Sequence, residues 1–354
     1  MIRPPLFISS LYNKPTKKLN MSQNMIKNKN PFLSLCIPTR NQPKAVDRLL
    51  QSIVNQGGLN NIEVVISDGS DERSTEKIAK SYRRNFSVNY IRRLRSGIDA
   101  GIIDLVEASI GQYLWFVGDD ETTENSIKTI ESCPGVREGA GFIFANTINN
   151  KTGCAQVNCE TNRFLEHDEL LNLAGTGLAF ISSNIMRADL AKESIAYARN
   201  YEDTDFVNFA LTIDVISNSK QLYYLSYPVA IAHPNASEKA KRKVARDGFI
   251  NNKFFEIFAV TWKNLLEDHS TVFSQKALKH AVRTAFGKAW RGVLVGWADG
   301  YDTPSGKRLI LLRSYYRNPH AWAAFILFCM PAWVNKLMYI SYRQVKRNLK
   351  KRVL

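Results

Sequence analysis

The chain has 354 residues, 45% of them hydrophobic and 23% charged, so it is an ordinary globular protein with room for one large domain or two small ones. Its net charge of +16 sits at the ends: residues 1–31 carry six Lys/Arg and no acid, residues 300–354 carry eleven and one acid, and residues 32–299 hold 31 of each sign. A neutral body excludes a basic groove running across it, and no nucleic-acid partner is expected.

In chain order, residues 12–31 are rich in Lys and Asn, and 1–31 reads as a disordered basic leader. The apolar patch Leu6–Leu11 is too short for a signal-peptide core, so no cleaved signal is expected. Leu33–Ile37 reads as a strand closed by Pro38. Ala45–Val54 has helical spacing, with Pro43 at the helix start, where its missing N–H does no harm. Glu63–Ser67, Val88–Ile91 and Tyr113–Val117 read as further strands, separated by helices over Ser74–Tyr82 and Ala100–Ser109. This alternation predicts a parallel sheet with right-handed crossovers.

After Ser126 the pattern loosens. Phe142–Ala145 and Ala179–Met186 read as strands, His167–Leu173 and Phe206–Ile216 as helices, and Leu222–Ala232 as extended. Beyond Phe249 the chain turns helical and aromatic. The uncharged run Ala321–Trp333 is shorter than the roughly 20 residues of a membrane span, contains Pro331, and is followed by a basic end from Lys336 to Arg352. Five cysteines with no CxxC pair suggest neither zinc nor a disulfide frame. A reducing, cytoplasmic compartment fits, with Cys36 a small hydrophobe inside a strand.

Three strand ends, Leu33–Asn41, Glu63–Ser70 and Tyr113–Glu121, place turn residues and carboxylates on one sheet edge, where ligands bind in open α/β sheets. Asp119, Asp120 and Glu121 admit two readings. They are acidic caps of a helix through Ile127–Ile130, or they hold a divalent cation that bridges a diphosphate. Asp68 is either a turn residue or an acceptor for a nucleobase N–H, and Pro38, Thr39, Arg40 and Asn41 are ordinary loop formers taken alone.

The order of these pieces over Leu33–Glu121 resembles the nucleotide half of family 2 glycosyltransferases. The resemblance implies a GT-A fold: a mixed, mostly parallel α/β sheet with flanking helices, here followed by a helical C-terminal region. In that family a first loop, often Pro-Thr-Tyr-Asn, surrounds the base, an Asp closing the second strand binds it too, and a DXD-type motif holds metal and diphosphate. Gly118-Asp119-Asp120-Glu121 is similar to the Leu-Gly-Asp-Asp-Asp version of abequosyltransferase-like O-antigen enzymes. The resemblance thus implies nucleotide-sugar binding by Pro38, Thr39, Arg40, Asn41, Asp68 and Asp119, and a Mg²⁺ or Mn²⁺ ion on Asp120 and Asp119. Three departures stand out. Arg40 replaces the usual Tyr, Gly118 stands where many relatives have the first Asp, and Gly97–Gly101 lacks the usual Arg-Asn pair although Arg92, Arg93 and Arg95 lie just upstream.

Further along, Tyr201–Phe206 resembles the family's Glu-Asp motif. It implies Asp203 as general base toward the acceptor hydroxyl, against the alternative of an acidic helix start. Gly177–Asn184 is similar to the family's acceptor-side strand. Ser183, Asn184 and Glu202 are candidate acceptor or donor contacts, and His233 is one more such contact, a late histidine completing the metal shell as in some enzymes of that fold, or a plain loop histidine. The expected domains are nucleotide half 32–125, acceptor half 126–240, and a helical basic region 241–354. That region either packs as a subdomain or lies on an anionic membrane through Trp290, Trp297, Trp322 and Trp333.

The expected function is inverting, metal-dependent transfer of a sugar from a nucleotide-diphosphate donor to a glycan or polyprenyl-diphosphate-linked acceptor. It would serve bacterial polysaccharide or glycolipid assembly at the cytoplasmic face of the inner membrane. The alternative is a non-catalytic nucleotide- or glycan-binding scaffold of the same fold.

Overall fold

The computed structural model describes residues 30–57, 59–94, 97–118, 120–232 and 260–285, with isolated positions between 322 and 344. Residues 1–29 of the expected leader, Asp119, Arg95, His233, Trp290 and Trp297 lie outside the described residues.

Among the described residues, nine strands form one sheet. They are β1 (Leu33–Thr39), β2 (Ile62–Asp68), β3 (Ser87–Arg92), β4 (Tyr113–Phe116), β5 (Glu121–Thr122), β6 (Phe142–Asn149), β7 (Arg163–Leu165), β8 (Asn184–Arg187) and β9 (Leu222–Ala232). The order is β3-β2-β1-β4-β8-β6-β9-β5, with β7 beside β9. β1 through β4 run parallel, β8 is antiparallel to both β4 and β6, and β6 and β9 are parallel. The carboxyl ends of β1, β2, β4, β6 and β9 and the amino end of β8 therefore share one edge.

Pleating divides the core. Leu33, Leu35 and Ile37 of β1 point to the cluster that contains Val46, Leu49, Leu50 and Ile53 of helix α1 (Pro43–Val54). Cys36 points to the opposite cluster, with Ile102, Leu105 and Val106 of α3 (Ile98–Ala108), which follows α2 (Ser74–Ser81). Each such buried aliphatic side chain contributes roughly 1.5–3 kcal/mol relative to exposure. Burial pushes the Cys36 thiol up to about 12, with the Ser109 hydroxyl opposing and Glu63 reinforcing the shift, so this cysteine packs without reacting.

Three local expectations need correction. β1 does not stop at Pro38, because Pro38 pairs with Ser67 and the strand runs to Thr39. The Cys36 carbonyl accepts from Val117 on the β4 side, and by alternation Pro38 faces the same way, past the end of β4, where no donor is needed. Residues 175–183 are two 3₁₀ turns rather than a strand, and only Asn184–Arg187 pairs. Finally, the acidic cluster is no helix cap. Its last member, Glu121, begins strand β5, and α4 (Ser126–Ser132) starts only after Asn125, its cap residue, with φ of 58°.

The remaining helices are α5 (Pro134–Arg137), α6 (His167–Ala174), α7 (Ala188–Ala198) and α8 (Val207–Asn218). Past residue 260, helix Trp262–Asp268 joins the main core. Trp262 is fully buried and stacks on Phe209 of α8 with centroids 4.0 Å apart. This part of the C-terminal region completes the same core as the sheet.

Candidate active site

The ends of β1 and β2 lock each other. Gly69 N–H donates to the Thr39 carbonyl (3.0 Å), and Asn41 N–H donates to Ser70 Oγ (2.7 Å). Asn41 exchanges side-chain hydrogen bonds with Asp71, donating from Nδ2 at 2.9 Å and accepting the Asp71 N–H at 3.1 Å. Asn41 sits at φ 54°, a left-handed conformation that Asn tolerates better than most residues. Arg40 beside it is exposed. Thr39 Oγ1 is buried without a hydrogen-bond partner, which costs about 1–3 kcal/mol unless a bound molecule supplies one.

Asp68 is fully buried. Its carboxylate accepts the Ser70 N–H at 2.8 Å, the Ser70 hydroxyl, and the Tyr90 hydroxyl at 2.7 Å. Asp68 thus shapes the 68–71 turn, and Tyr90 and Ser70 occupy most of its acceptor capacity.

Of the described arginines just upstream of Gly97–Gly101, Arg93 is the one buried within the fold. Its N–H donates to the Asp68 carbonyl (2.8 Å), Nη1 to the Gly97 carbonyl (2.6 Å) and Nη2 to the Thr39 carbonyl (3.4 Å), and Nε lies 3.9 Å from Asp104. The guanidinium is wedged between Gly69 and Gly101: a Cβ on Gly69 would lie 3.0 Å from Nη2, and one on Gly101 would lie 3.2 Å from Cζ. Burial lowers its pKa, and Asp104 and Asp68 oppose the shift. Arg93 therefore braces the first loop, the Asp68 turn and the start of α3 rather than reaching outward.

At the end of β4, Asp120 is buried and accepts the Ser182 hydroxyl at 2.5 Å. Ser182 Oγ also lies 3.3 Å from the Gly118 N–H, and its carbonyl accepts from Trp115 Nε1 at 3.0 Å. Glu121 pairs with Arg48 at 3.0 Å. A strand-end carboxylate with a hydroxyl beside it fits a hard divalent cation of the kind that takes one or two protein carboxylates and completes its shell with substrate phosphates. Among the described residues no three His, Cys, Asp or Glu side chains cluster.

Asp203 is exposed at φ 66°, and Asp205 follows at φ 62°. Consecutive left-handed turns at non-glycine residues are costly and persist only where neighbours enforce them. The enforcing group is Asp99 in the first turn of α3. Its buried carboxylate accepts the Asp205 N–H (2.8 Å) and the Val207 N–H (3.1 Å), tying the start of α8 to the nucleotide half. Burial raises the Asp99 pKa, the two backbone N–H groups oppose this, and the Asp205 and Asp203 charges add to it. Glu202 is engaged by Arg199 at 3.1 Å.

Ser183 and Asn184 are held within the chain, although Asn184 Oδ1 is buried without a hydrogen-bond partner. Both are buried. Ser183 donates to Gln156 Oε1 (2.6 Å), and Asn184 Nδ2 donates to the Leu178 carbonyl (2.8 Å) and to Thr212 Oγ1 (3.2 Å). Ser182, Arg93, Asp99 and Tyr90 escaped the sequence reading. Only the arginine left a signal there, as one of three candidates.

Comparison with known proteins agrees with this geometry. Residues 34–128 match the Glycosyl transferase family 2 model. Abequosyltransferase RfbV of Salmonella typhimurium is 25% identical over 236 residues, spanning 61% of this chain and 70% of that enzyme. The structure of S. aureus TarS 1–349 is similar at TM-score 0.52 and 18% identity, covering 88% of this chain and 91% of that one. Its complex with UDP-GlcNAc is similar at 0.52 and 17%, with the same coverage. At such identities the structural likeness speaks to the fold alone. Residues 34–128 are thus similar to family 2 glycosyltransferases, and the described residues share the fold of TarS.

Proposed function

We propose that the chain transfers a sugar from a nucleotide-diphosphate donor to an acceptor hydroxyl in bacterial surface-polysaccharide assembly, with inversion at the anomeric carbon. The observation that carries this is a single sheet edge. It gathers the interlocked 38–41 and 68–71 loops, the buried Asp120, and the Asp203 turn held by Asp99. The nucleoside lies against the first two loops, where Thr39 Oγ1 lacks a partner and Tyr90 must yield for a base to reach Asp68. Asp120, with Asp119, would hold a divalent cation, Mg²⁺ or Mn²⁺, which would neutralise charge on the departing diphosphate. Asp203, exposed and turned outward by its backbone, takes the acceptor proton. That relatives include an abequosyltransferase supports a glycan or lipid-linked acceptor.

The same reading places the enzyme peripherally on an anionic membrane at the cytoplasmic face. Among the described residues, Trp322, Ile326, Trp333, Leu337 and Ile340 are exposed, and Trp333, Leu337 and Ile340 recur at helical spacing beside Lys336. No helix of the described residues is long and apolar enough to cross a membrane. Flotation with anionic liposomes tests this; failure to float with them removes the membrane claim.

The catalytic claim is tested by Asp203→Asn. Calorimetric donor binding should persist while transfer falls by roughly 10²–10⁴-fold, the ordinary contribution of a general base. Retained turnover takes Asp203 out of that role. Donor binding without turnover in the unaltered chain would favour the scaffold alternative.

A further inference from the structure

The turn that carries Asp203 is gripped at both ends, and only one grip comes from the nucleotide half. Tyr201, Glu202, Asp203 and Thr204 form a type II turn: Glu202 has φ −57° and ψ 147°, Asp203 has φ 66°, and the Thr204 N–H donates to the Tyr201 carbonyl at 3.3 Å. Thr204 Oγ1 donates to the same carbonyl at 2.6 Å. The third position of such a turn ordinarily takes glycine or asparagine, so an aspartate there needs neighbours that hold it. Asp99 holds the side of Asp205 and Val207. Tyr201, which opens the turn, is held by Asp268, the last residue of the C-terminal helix Trp262–Asp268.

We infer that Asp268 is a positioning residue for the general base: by accepting the Tyr197 and Tyr201 hydroxyls it fixes the first corner of the Asp203 turn, and it makes the C-terminal helical region part of the transfer site. The inference rests on the reading of Asp203 as base.

Convergence is the first argument. Tyr197 and Tyr201 donate to the same oxygen, Asp268 Oδ2, at 3.0 and 3.1 Å, and their hydroxyl oxygens lie 3.3 Å apart. Burial raises the pKa of both phenols and the Asp268 charge adds to the shift, so each keeps its proton and donates. Tyr197 alone would suffice to seat the helix; the Tyr201 hydroxyl is what carries the anchor to the turn. The second corner, Glu202, is held separately by Arg199, which also pairs with Glu107 of α3.

Rigidity of the anchor is the second. Trp262 stacks on Phe209 of α8, and Leu265 and Leu266 are buried. His269 Nε2 lies 3.0 Å from Asp214 Oδ1, also on α8, while its Nδ1 lies 2.9 Å from the Leu265 carbonyl. The Tyr197 and His269 rings meet edge to face at 5.0 Å. The helix is therefore pinned along α8, whose first residue, Val207, is the one that Asp99 holds. Asp268 and Asp99 grip the turn from two sides of one rigid frame.

The experiment uses the full chain with Asp268→Ala, Asp268→Asn and Tyr201→Phe. A control, His269→Gln, loosens the same helix without touching Tyr201. Amide exchange over residues 202–205 is followed by mass spectrometry. Hydrolysis of UDP-glucose, UDP-GlcNAc, CDP-glucose and dTDP-glucose with Mn²⁺ reports the base, with water in place of the acceptor hydroxyl.

Asp268→Ala should speed exchange at 202–205 and lower kcat, each roughly tenfold, the scale of losing two partly exposed hydrogen bonds, with KM for the donor changed less than about threefold. Tyr201→Phe, which removes one of the two, should give roughly threefold in both, and it decides the matter if Asp268→Ala does not fold. Asp268→Asn, whose Oδ1 can accept both hydroxyls, should restore both readings to within about threefold. His269→Gln should lower the urea midpoint and leave both readings within about twofold. Exchange at 202–205 unchanged in Asp268→Ala overturns the inference whatever the kinetics, and so does an equal effect in His269→Gln or an equal loss in donor KM. Hydrolysis lost in Asp203→Asn but intact in Asp268→Ala rejects the positioning role alone. Hydrolysis retained in Asp203→Asn rejects the base reading and the inference with it.

Discussion

Replacing Asp99 with Ala should disable transfer from a position that touches no substrate. Asp99 accepts two backbone N–H groups, from Asp205 at 2.8 Å and Val207 at 3.1 Å. Hydrogen bonds to a charged partner contribute about 1.5–3 kcal/mol each, so the pair supplies roughly 3–6 kcal/mol before its costs. Part of this is offset by burying the carboxylate, whose raised pKa records that penalty. A net loss near 2–3 kcal/mol is the expectation, consistent with the upper range for losing a helix cap. Its first effect is on the turn at Asp203 and Asp205, whose left-handed backbone relaxes once unpinned. If the productive turn is disfavoured by that amount, kcat falls roughly 30- to 150-fold, at about 1.4 kcal/mol per decade. Steady-state kinetics, donor calorimetry and urea unfolding on the same variant check this. The predicted pattern is a large fall in kcat with donor Kd changed by less than about threefold, since that loss corresponds to under 1 kcal/mol. Turnover within threefold of the unaltered chain would refute the argument, and so would a matching loss of donor affinity.

Arg93→Lys should weaken donor binding and lower stability by roughly 1–3 kcal/mol, because one ammonium cannot reach the Gly97 and Thr39 carbonyls together. Urea unfolding and calorimetry would register both effects, and an unchanged Cm would argue against the brace. His269 should make stability pH-dependent. Burial alone would lower its pKa, but Asp214 at 3.0 Å, the Leu265 carbonyl, and the charges of Asp214 and Asp268 raise it overall. A raised folded-state pKa means the contribution is full below about 6.5 and is lost as pH climbs through the folded value. Unfolding free energy should therefore fall across that window in the unaltered chain and change less in His269→Gln.

Strand alternation made the nucleotide half legible. The odd residues of β1 and the apolar stripe of α1 announce which faces meet, and the strand ends announce an edge. Pro38 misled because a proline looks like a stop until the partner strand is seen to have ended. The acidic cluster was ambiguous because caps and metal ligands use the same residues, and the strand that begins at Glu121 removes only the cap. Ser182 and Asp99 were invisible for a different reason. They act across 62 and 106 residues of chain, and no local pattern marks a serine or aspartate that will meet a partner so far away. Ala179–Ser183 failed as the first part of the expected Ala179–Met186 strand because Leu178 is buried, and Ala179 and Ile181 half-buried, against the core without pairing.

The most direct test of the donor edge is a thermal shift with UDP, CDP and dTDP, each with and without Mn²⁺, on the unaltered chain and on Asp120→Asn. One nucleotide at about 100 times its Kd should stabilise the unaltered protein by about 2.7 kcal/mol, a rise of several degrees, in the presence of metal. Asp120→Asn should lose that rise while keeping its own baseline Tm within a few degrees. A metal-independent shift equal in both proteins would contradict the role given to Asp120, and no shift with any nucleotide would contradict the account as a whole.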